Sequence, residues 1–364
     1  MTDSYLPDRP PPRGETGFIA WLRHHLFSSP VNAALTLCAI ALIWLTVPPV
    51  ISWTFIHADW VGQSAADCSR EGACWAFIRA RFAQFLYGFY PADERWRVNT
   101  LFFLILPAAA LLIWKSRGNT RFYLILANML ILPFLSWYLL RGGVFGLTPV
   151  ATDKWGGMML TLVVSSAGIL FSLPFGILLA LGRTSSMPVV RLLCILFIEL
   201  WRGVPLITVL FMANVMLPLF LPTGVHVDNL MRALIGVALF ASAYMAEVVR
   251  GGLLAVPKGQ YEAADSIGLN YVQKMRLVIL PQALTSVIPA ITNTYVGLLK
   301  DTTLVSIIGL YDFLGIVHSA AQDPQWLGFT LEGYAFCAAV YFLLCYGMSS
   351  TSYRLEKILA PEKR

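Results

Sequence analysis

An all-α integral membrane protein is the fold class that this 364-residue sequence predicts, on three observations. The chain is 57% hydrophobic and only 13% charged, about half the charged share of an ordinary soluble domain. Eight apolar runs approach or exceed the roughly 20 residues that a helix needs to cross a bilayer, where every backbone polar group has to be satisfied internally. Lys and Arg gather in the short loops between alternate runs, the bias that sets orientation. The net charge of +6 is spread along the chain with no run of basic residues, which excludes a nucleic-acid partner.

Taken in order, residues 1–30 read as a cytoplasmic tail and pre-helix, polar and rich in proline (Pro7, Pro10, Pro11, Pro12). They are expected to be disordered and do not read as a signal peptide, because no small-residue cleavage site follows the first apolar run. The expected spans are 33–55, 98–114, 122–140, 156–181, 189–219, 229–249, 275–299 and 329–349. The second is the weakest, since it is short and contains Asn99, Thr100 and Pro107; the fifth is too long for one straight span. An N-terminus on the cytoplasmic side puts 16 of the 26 Lys and Arg inside and nine outside, with Arg202 within a span. The inside set includes Arg9, Arg13, Arg117, Lys363 and Arg364, so both termini are expected to be cytoplasmic.

Residues 31–155 thus form three N-terminal spans with a long outer loop, 57–97. Cys68 and Cys74 in that loop are spaced to permit a small disulfide in an oxidising compartment, with two free thiols as the alternative. His57 is far in sequence from both, so no metal site is expected. The segment Trp75–Tyr90 interleaves aromatic and basic residues and is expected to be an amphipathic helix on the outer membrane surface.

The region 156–360 carries the functional signals. Between the sixth and seventh spans lies the cytoplasmic loop 250–276, with Pro257-Lys258-Gly259-Gln260 leading into Glu262-Ala263-Ala264-Asp265-Ser266. That pattern reads as a short helix ended by Gly268. Ala263 and Ala264 would let a partner approach closely.

Glu262-Ala263-Ala264, Gly268 and Leu280-Pro281 resemble the EAA loop of membrane subunits of bacterial ABC importers. Three further stretches are similar to the polar amino-acid permeases: Glu199-Leu-Trp-Arg-Gly-Val-Pro205, Ala243-Tyr-Met-Ala-Glu-Val-Val-Arg-Gly-Gly252 and Leu299-Lys-Asp-Thr-Thr-Leu-Val-Ser306. Val204 stands where that family has Thr. The N-terminal addition resembles the M-type subunit of general L-amino acid ABC transporters.

The resemblance implies a five-helix, type I (MetI-like) permease core in the bacterial inner membrane. It also implies partners: an ATPase subunit dimer, a second homologous permease giving a heterodimer, a periplasmic amino-acid-binding protein and an L-amino acid substrate. Glu262, Ala263, Ala264, Asp265 and Gly268 would couple the chain to the ATPase.

No GxxxxGK[ST] occurs, so the chain cannot cradle phosphates by that route; ATP and Mg are expected on the partner, and no cofactor or catalytic residue is expected in the chain itself. Glu199 with Arg202, and Glu247 with Arg250, are three apart and are expected to pair on one helix face. Asp301 interrupts an apolar stretch; it either N-caps a helix beginning at Thr302 or lies at a broken helix beside a water-filled path. In the second case Asn293, Asp301, Thr302 and Thr303 are the candidate substrate contacts. An ion-coupled secondary transporter or a non-transporting scaffold are the rival readings; the first would need a coupling-ion site and usually an internal repeat, and neither is seen.

Overall fold

The computed structural model describes residues 17–359 apart from Arg117, Phe145, Thr223, Val225 and His226. Residues 1–16 of the predicted tail, with Arg9 and Arg13, lie outside the described residues, as do Arg117, Lys363 and Arg364. Helices dominate what is described, and the only β pairing there is three isolated bridges.

Two compact units divide between Ala76 and Phe77. The first holds α1 (Phe18–His25) and α2 (Pro30–Ile51), which Ser29 caps by accepting from Asn32 N and which continues through a π-helical turn, Ser52–Ile56. No residue of α2 is buried, which suits a helix whose surface is meant for an apolar solvent. In the loop beyond it Cys68 and Cys74 are joined as a disulfide, their Cα atoms 5.9 Å apart. Asp59 accepts from Ser69 N at 2.7 Å, and Asp67 from Gln63 N at 2.7 Å and Ser64 N at 3.0 Å. Those amide bonds hold the Asp67 carboxyl below its ordinary pKa.

From Trp75 the helix α3 (Trp75–Tyr87) leads into the second unit. It departs from the expected surface helix. Phe77 and Phe85 are fully buried and stack on Trp326 (ring centroids 5.6 Å apart) and Phe336 (5.9 Å), while Arg81 pairs with Asp323. Protein aromatics cover the face that lipid was expected to meet.

The remaining helices are α4 (Ala92–Leu112), α5 (Gly118–Arg141), α6 (Gly157–Arg183), the pair α7 (Pro188–Gly203) and α8 (Leu206–Phe220), and α9 (Asn229–Ala255). They are followed by α10 (Lys258–Ser266), the pair α11 (Tyr271–Ser286) and α12 (Ile288–Ile308), α13 (Phe313–Ala321) and α14 (Thr330–Leu359). Among the described residues, five helices are long and apolar enough to cross a membrane, and seven if each bent pair counts as one span. The run at 122–140 lies within α5, whose 24 residues reach about 36 Å at 1.5 Å per residue.

The fifth run does break, by 100° between α7 and α8. Pro205 explains the break: its ring disfavours helical geometry at Val204, which is extended (φ −114°, ψ 133°). The seventh run bends 63° at Val287, ahead of Pro289. Pro281 makes no such bend, because the π-helical turn Met275–Ile279 precedes it. Turns of the same kind at Thr100–Ile105 and Met212–Met216 precede Pro107 and Pro218. Widening the helix just before proline removes the carbonyl that its ring would strike.

At the centre α9 packs along α6 more extensively than any other pair of helices meets. A core of Tyr90, Leu101, Leu140, Trp155, Leu160, Leu210, Val237 and Ile308 ties α4 and α5 to these helices, so residues 92–141 share a core with the region beyond 156. A second core, Ala180, Met245, Val249, Leu253, Ile279 and Ala283, lies beneath α10.

Candidate functional site

The loop between α9 and α11 is built to hold α10 in a fixed pose. Val256 and Pro257 leave α9 in extended geometry, and Gln260 N donates to Pro257 O at 3.0 Å to start the helix. Tyr261 then turns back, its hydroxyl donating to Leu253 O at 3.2 Å in the last turn of α9. Burial pushes that phenol above its ordinary pKa, which keeps it a neutral donor.

The far end closes in a Schellman arrangement: Leu269 N donates to Ala264 O at 3.2 Å and Gly268 N to Asp265 O at 3.0 Å. Gly268 sits at φ +74°, the left-handed conformation that side chains resist. Asn270 and Gln273 then form a capping box that starts α11.

Of the five loop residues singled out in the sequence, Glu262, Ala263, Asp265 and Gly268 are exposed, but Ala264 is buried against its own chain. The expected two-alanine approach surface is therefore a single alanine, Ala263. Helical spacing turns Ala264, like Tyr261 three residues earlier, toward the core beneath. Asp265 is engaged as well, its Oδ1 taking Lys274 Nζ at 2.6 Å and so tying α10 to α11. Glu262 differs: among the described residues its carboxylate meets no cation and no donor.

Close backbone approach sets this geometry. An ideal Cβ on Gly252 would lie 2.4 Å from Ala283 O, so α9 and α11 cross where only hydrogen fits.

The charges near this end do not pair as expected. Glu199 bonds Arg183 Nη1 at 2.8 Å rather than Arg202. Arg202 approaches Glu247 Oε2 at 3.7 Å and lies over the Tyr244 ring, 5.5 Å from its centroid. Glu247 does meet Arg250, whose Nε donates to Oε1 at 2.8 Å, and it also faces Arg183 Nη1 at 3.6 Å through Oε2. The reason is packing: α6, α7 and α9 converge here, and partners on neighbouring helices displace the local pair. Arg183, the last residue of α6, is not among the charges singled out in the sequence.

The polar residues of the seventh run are dispersed. Asp301 caps nothing, because α-helix runs through it (φ −66°, ψ −16°) into the tighter 3₁₀ turns of Thr302–Ile308, and no backbone donor meets its side chain. The break expected at Asp301 lies instead at Val287. Thr302 is buried and spends its hydroxyl on Leu299 O at 2.8 Å; half-buried Thr303 donates to Lys300 O at 2.9 Å. Asn293 is exposed and eight residues before Asp301, about 12 Å along the axis, too far for both to hold one amino-acid backbone.

A buried polar group that sequence reading passed over is Asp312, fully buried at the N-terminus of α13. It accepts from Gly315 N at 3.0 Å and Tyr341 hydroxyl at 3.2 Å. Among the described residues no group of three His, Cys, Asp or Glu is placed to hold a metal.

Residues 172–358 match the family described as "Binding-protein-dependent transport system inner membrane component". The chain is 53% identical to the "Inner membrane amino-acid ABC transporter permease protein YhdY" of Escherichia coli (strain K12), over 96% of this chain and 95% of that one. It is 38% identical to the "Glutamate/glutamine/aspartate/asparagine transport system permease protein BztC" of Rhodobacter capsulatus, over 99% of this chain and 98% of that one. A solved structure, "Crystal structure of an amino acid ABC transporter with histidines", is 31% identical over 55% of this chain and 91% of that one, with a TM-score of 0.48.

Proposed function

The chain belongs to the binding-protein-dependent transport system inner membrane components, and on that premise we propose that it is the amino-acid permease subunit of an ABC importer, driven by an ATPase subunit that docks on α10. It is a multi-pass inner-membrane protein. The observation that carries the docking reading is α10 itself: a helix fixed at both ends, presenting Ala263 and an unpartnered Glu262 to solvent. A carboxylate left without an internal partner, on a helix held this firmly, suits recognition by another chain better than local stability.

In this reading the loop 250–276 and both termini face the cytoplasm, as the Lys and Arg distribution implies. A second permease pairs with this chain, a periplasmic binding protein delivers an L-amino acid, and ATP with Mg is held by the ATPase subunit alone. Asp301 and Thr303 remain candidates for the substrate's ammonium, with Asn293 serving a separate step of the path. Thr302 drops out, since its hydroxyl is buried and satisfied.

The test is copurification and transport in proteoliposomes that hold the full complex. Glu262→Lys is expected to insert normally and to leave ATP hydrolysis uncoupled from uptake. Normal uptake by that variant would refute the docking role, and a tagged wild-type chain that captures no ATPase would refute the whole reading.

A further inference from the structure

One charged cluster lies outside α10 itself: Arg183, Glu199, Arg202, Glu247 and Arg250. Its three guanidiniums face two carboxylates, leaving one net positive charge. Glu247 is the member that joins the rest. Its Oε1 takes Arg250 one helical turn ahead, while its Oε2 faces Arg183 at the end of α6 and Arg202 at the end of α7. One side chain thus joins three spans, and Arg183 extends the chain of charges to Glu199.

The connection to α10 is continuous and short. Glu247 lies eight residues before Ala255, where α9 ends, about 12 Å along the axis. Between them Val249 and Leu253 pack with Ile279 and Ala283 of α11 in the core under the loop, and Leu253 O receives the Tyr261 hydroxyl of α10. A push on α10 therefore reaches Glu247 through packed atoms, not through a flexible link. Glu247 itself is partly buried, with 23% of its side chain exposed, where losing a carboxylate leaves guanidiniums uncompensated.

Resting on the docking reading above, we infer that Glu247 is a positioning residue that transmits displacement of α10 to α6 and α7. While its carboxylate is in place, the inner ends of the three helices move as one body. Without it, α9 follows α10, but Arg183 and Arg202 no longer follow α9. Nucleotide hydrolysis then continues without moving the spans that enclose the path.

The experiment uses the complete transporter in proteoliposomes, with ATP hydrolysis measured with and without substrate-loaded binding protein, uptake, and ATPase retained on a tagged permease. Glu247→Gln preserves size and one acceptor oxygen but removes the charge and turns the second oxygen into a donor. Stimulation of hydrolysis by loaded binding protein is expected to fall about tenfold or more, within the usual range of coupling between sites, with ATPase retention unchanged. Glu247→Asp, which restores the charge, is expected to recover most of the stimulation. Stimulation and uptake within about twofold of wild type in Glu247→Gln would overturn the inference. So would loss of ATPase retention, or failure of Glu247→Asp to recover, because either marks a role in stability alone. If the wild-type complex itself shows no stimulated hydrolysis, the docking reading fails instead.

Discussion

Two adjacent glycines near the end of α9 make opposite predictions. Gly251 is exposed, and a Cβ built on it meets nothing within 4 Å; a Cβ on Gly252 would lie 2.4 Å from Ala283 O and 3.1 Å from Val287 Cγ1. Neither glycine has the positive φ that would forbid alanine. Gly251→Ala therefore gains only what alanine gains over glycine within a helix, about 0.5–1 kcal/mol. Gly252→Ala gains the same amount but needs α9 and α11 to separate by about 1 Å to reach ordinary contact. The obstructing atom is backbone, so no rotamer relieves it, and overpacking of this kind costs about 1–3 kcal/mol. The pair is expected to differ in sign: Gly251→Ala more stable than wild type, Gly252→Ala less. SDS-driven unfolding of the purified chain in mixed micelles, followed by tryptophan fluorescence, measures both on one scale. Equal shifts in the same direction would refute the close crossing of α9 and α11, and with it the fixed pose of α10.

At Gly268 the surroundings are open and only the backbone conformation objects, so Gly268→Asn is expected to retain ATPase capture far better than Gly268→Val, which must bear about 1–2 kcal/mol of left-handed strain; equal retention would show that φ is not the constraint. Asp301→Asn is expected to raise KM for uptake about tenfold or more, the factor for losing one hydrogen bond to a charged group at about 1.5–3 kcal/mol, while unchanged kinetics would remove Asp301 from the path. Intact-mass analysis after alkylation is expected to gain two labels when reductant is added, from Cys68 and Cys74. Equal labelling with and without reductant would show that the two thiols are free.

The candidate site was legible in the sequence to different depths. Gly268 was recognisable because a glycine just after a short helical pattern announces the end of the helix. The structure adds the two backbone bonds that close it. Ala264 was misread as approach surface, since a motif gives no rotation of its helix relative to the core. Glu199 and Arg202 were paired from their spacing alone, and spacing knows only one helix.

By itself the sequence determined the solvent of this protein and the order of its helices. Apolar runs of membrane length permit only helices, and some of the prolines mark where those helices bend or take a π-helical turn, while Pro133 and Pro174 sit within uninterrupted α-helix. The loop helix also follows from local residues, through Pro257 before it and Gly268 after it. Only the tertiary structure decided which charges meet, because Arg183, Glu199, Arg202 and Glu247 come from three helices whose convergence no local pattern encodes. It likewise decided that Ala264 points inward, that α3 is covered by protein aromatics, and that Asp301 lies within a continuing helix. Each depends on which face of a helix another part of the chain covers, and that follows from packing across distant residues, not from the run of neighbours along the chain.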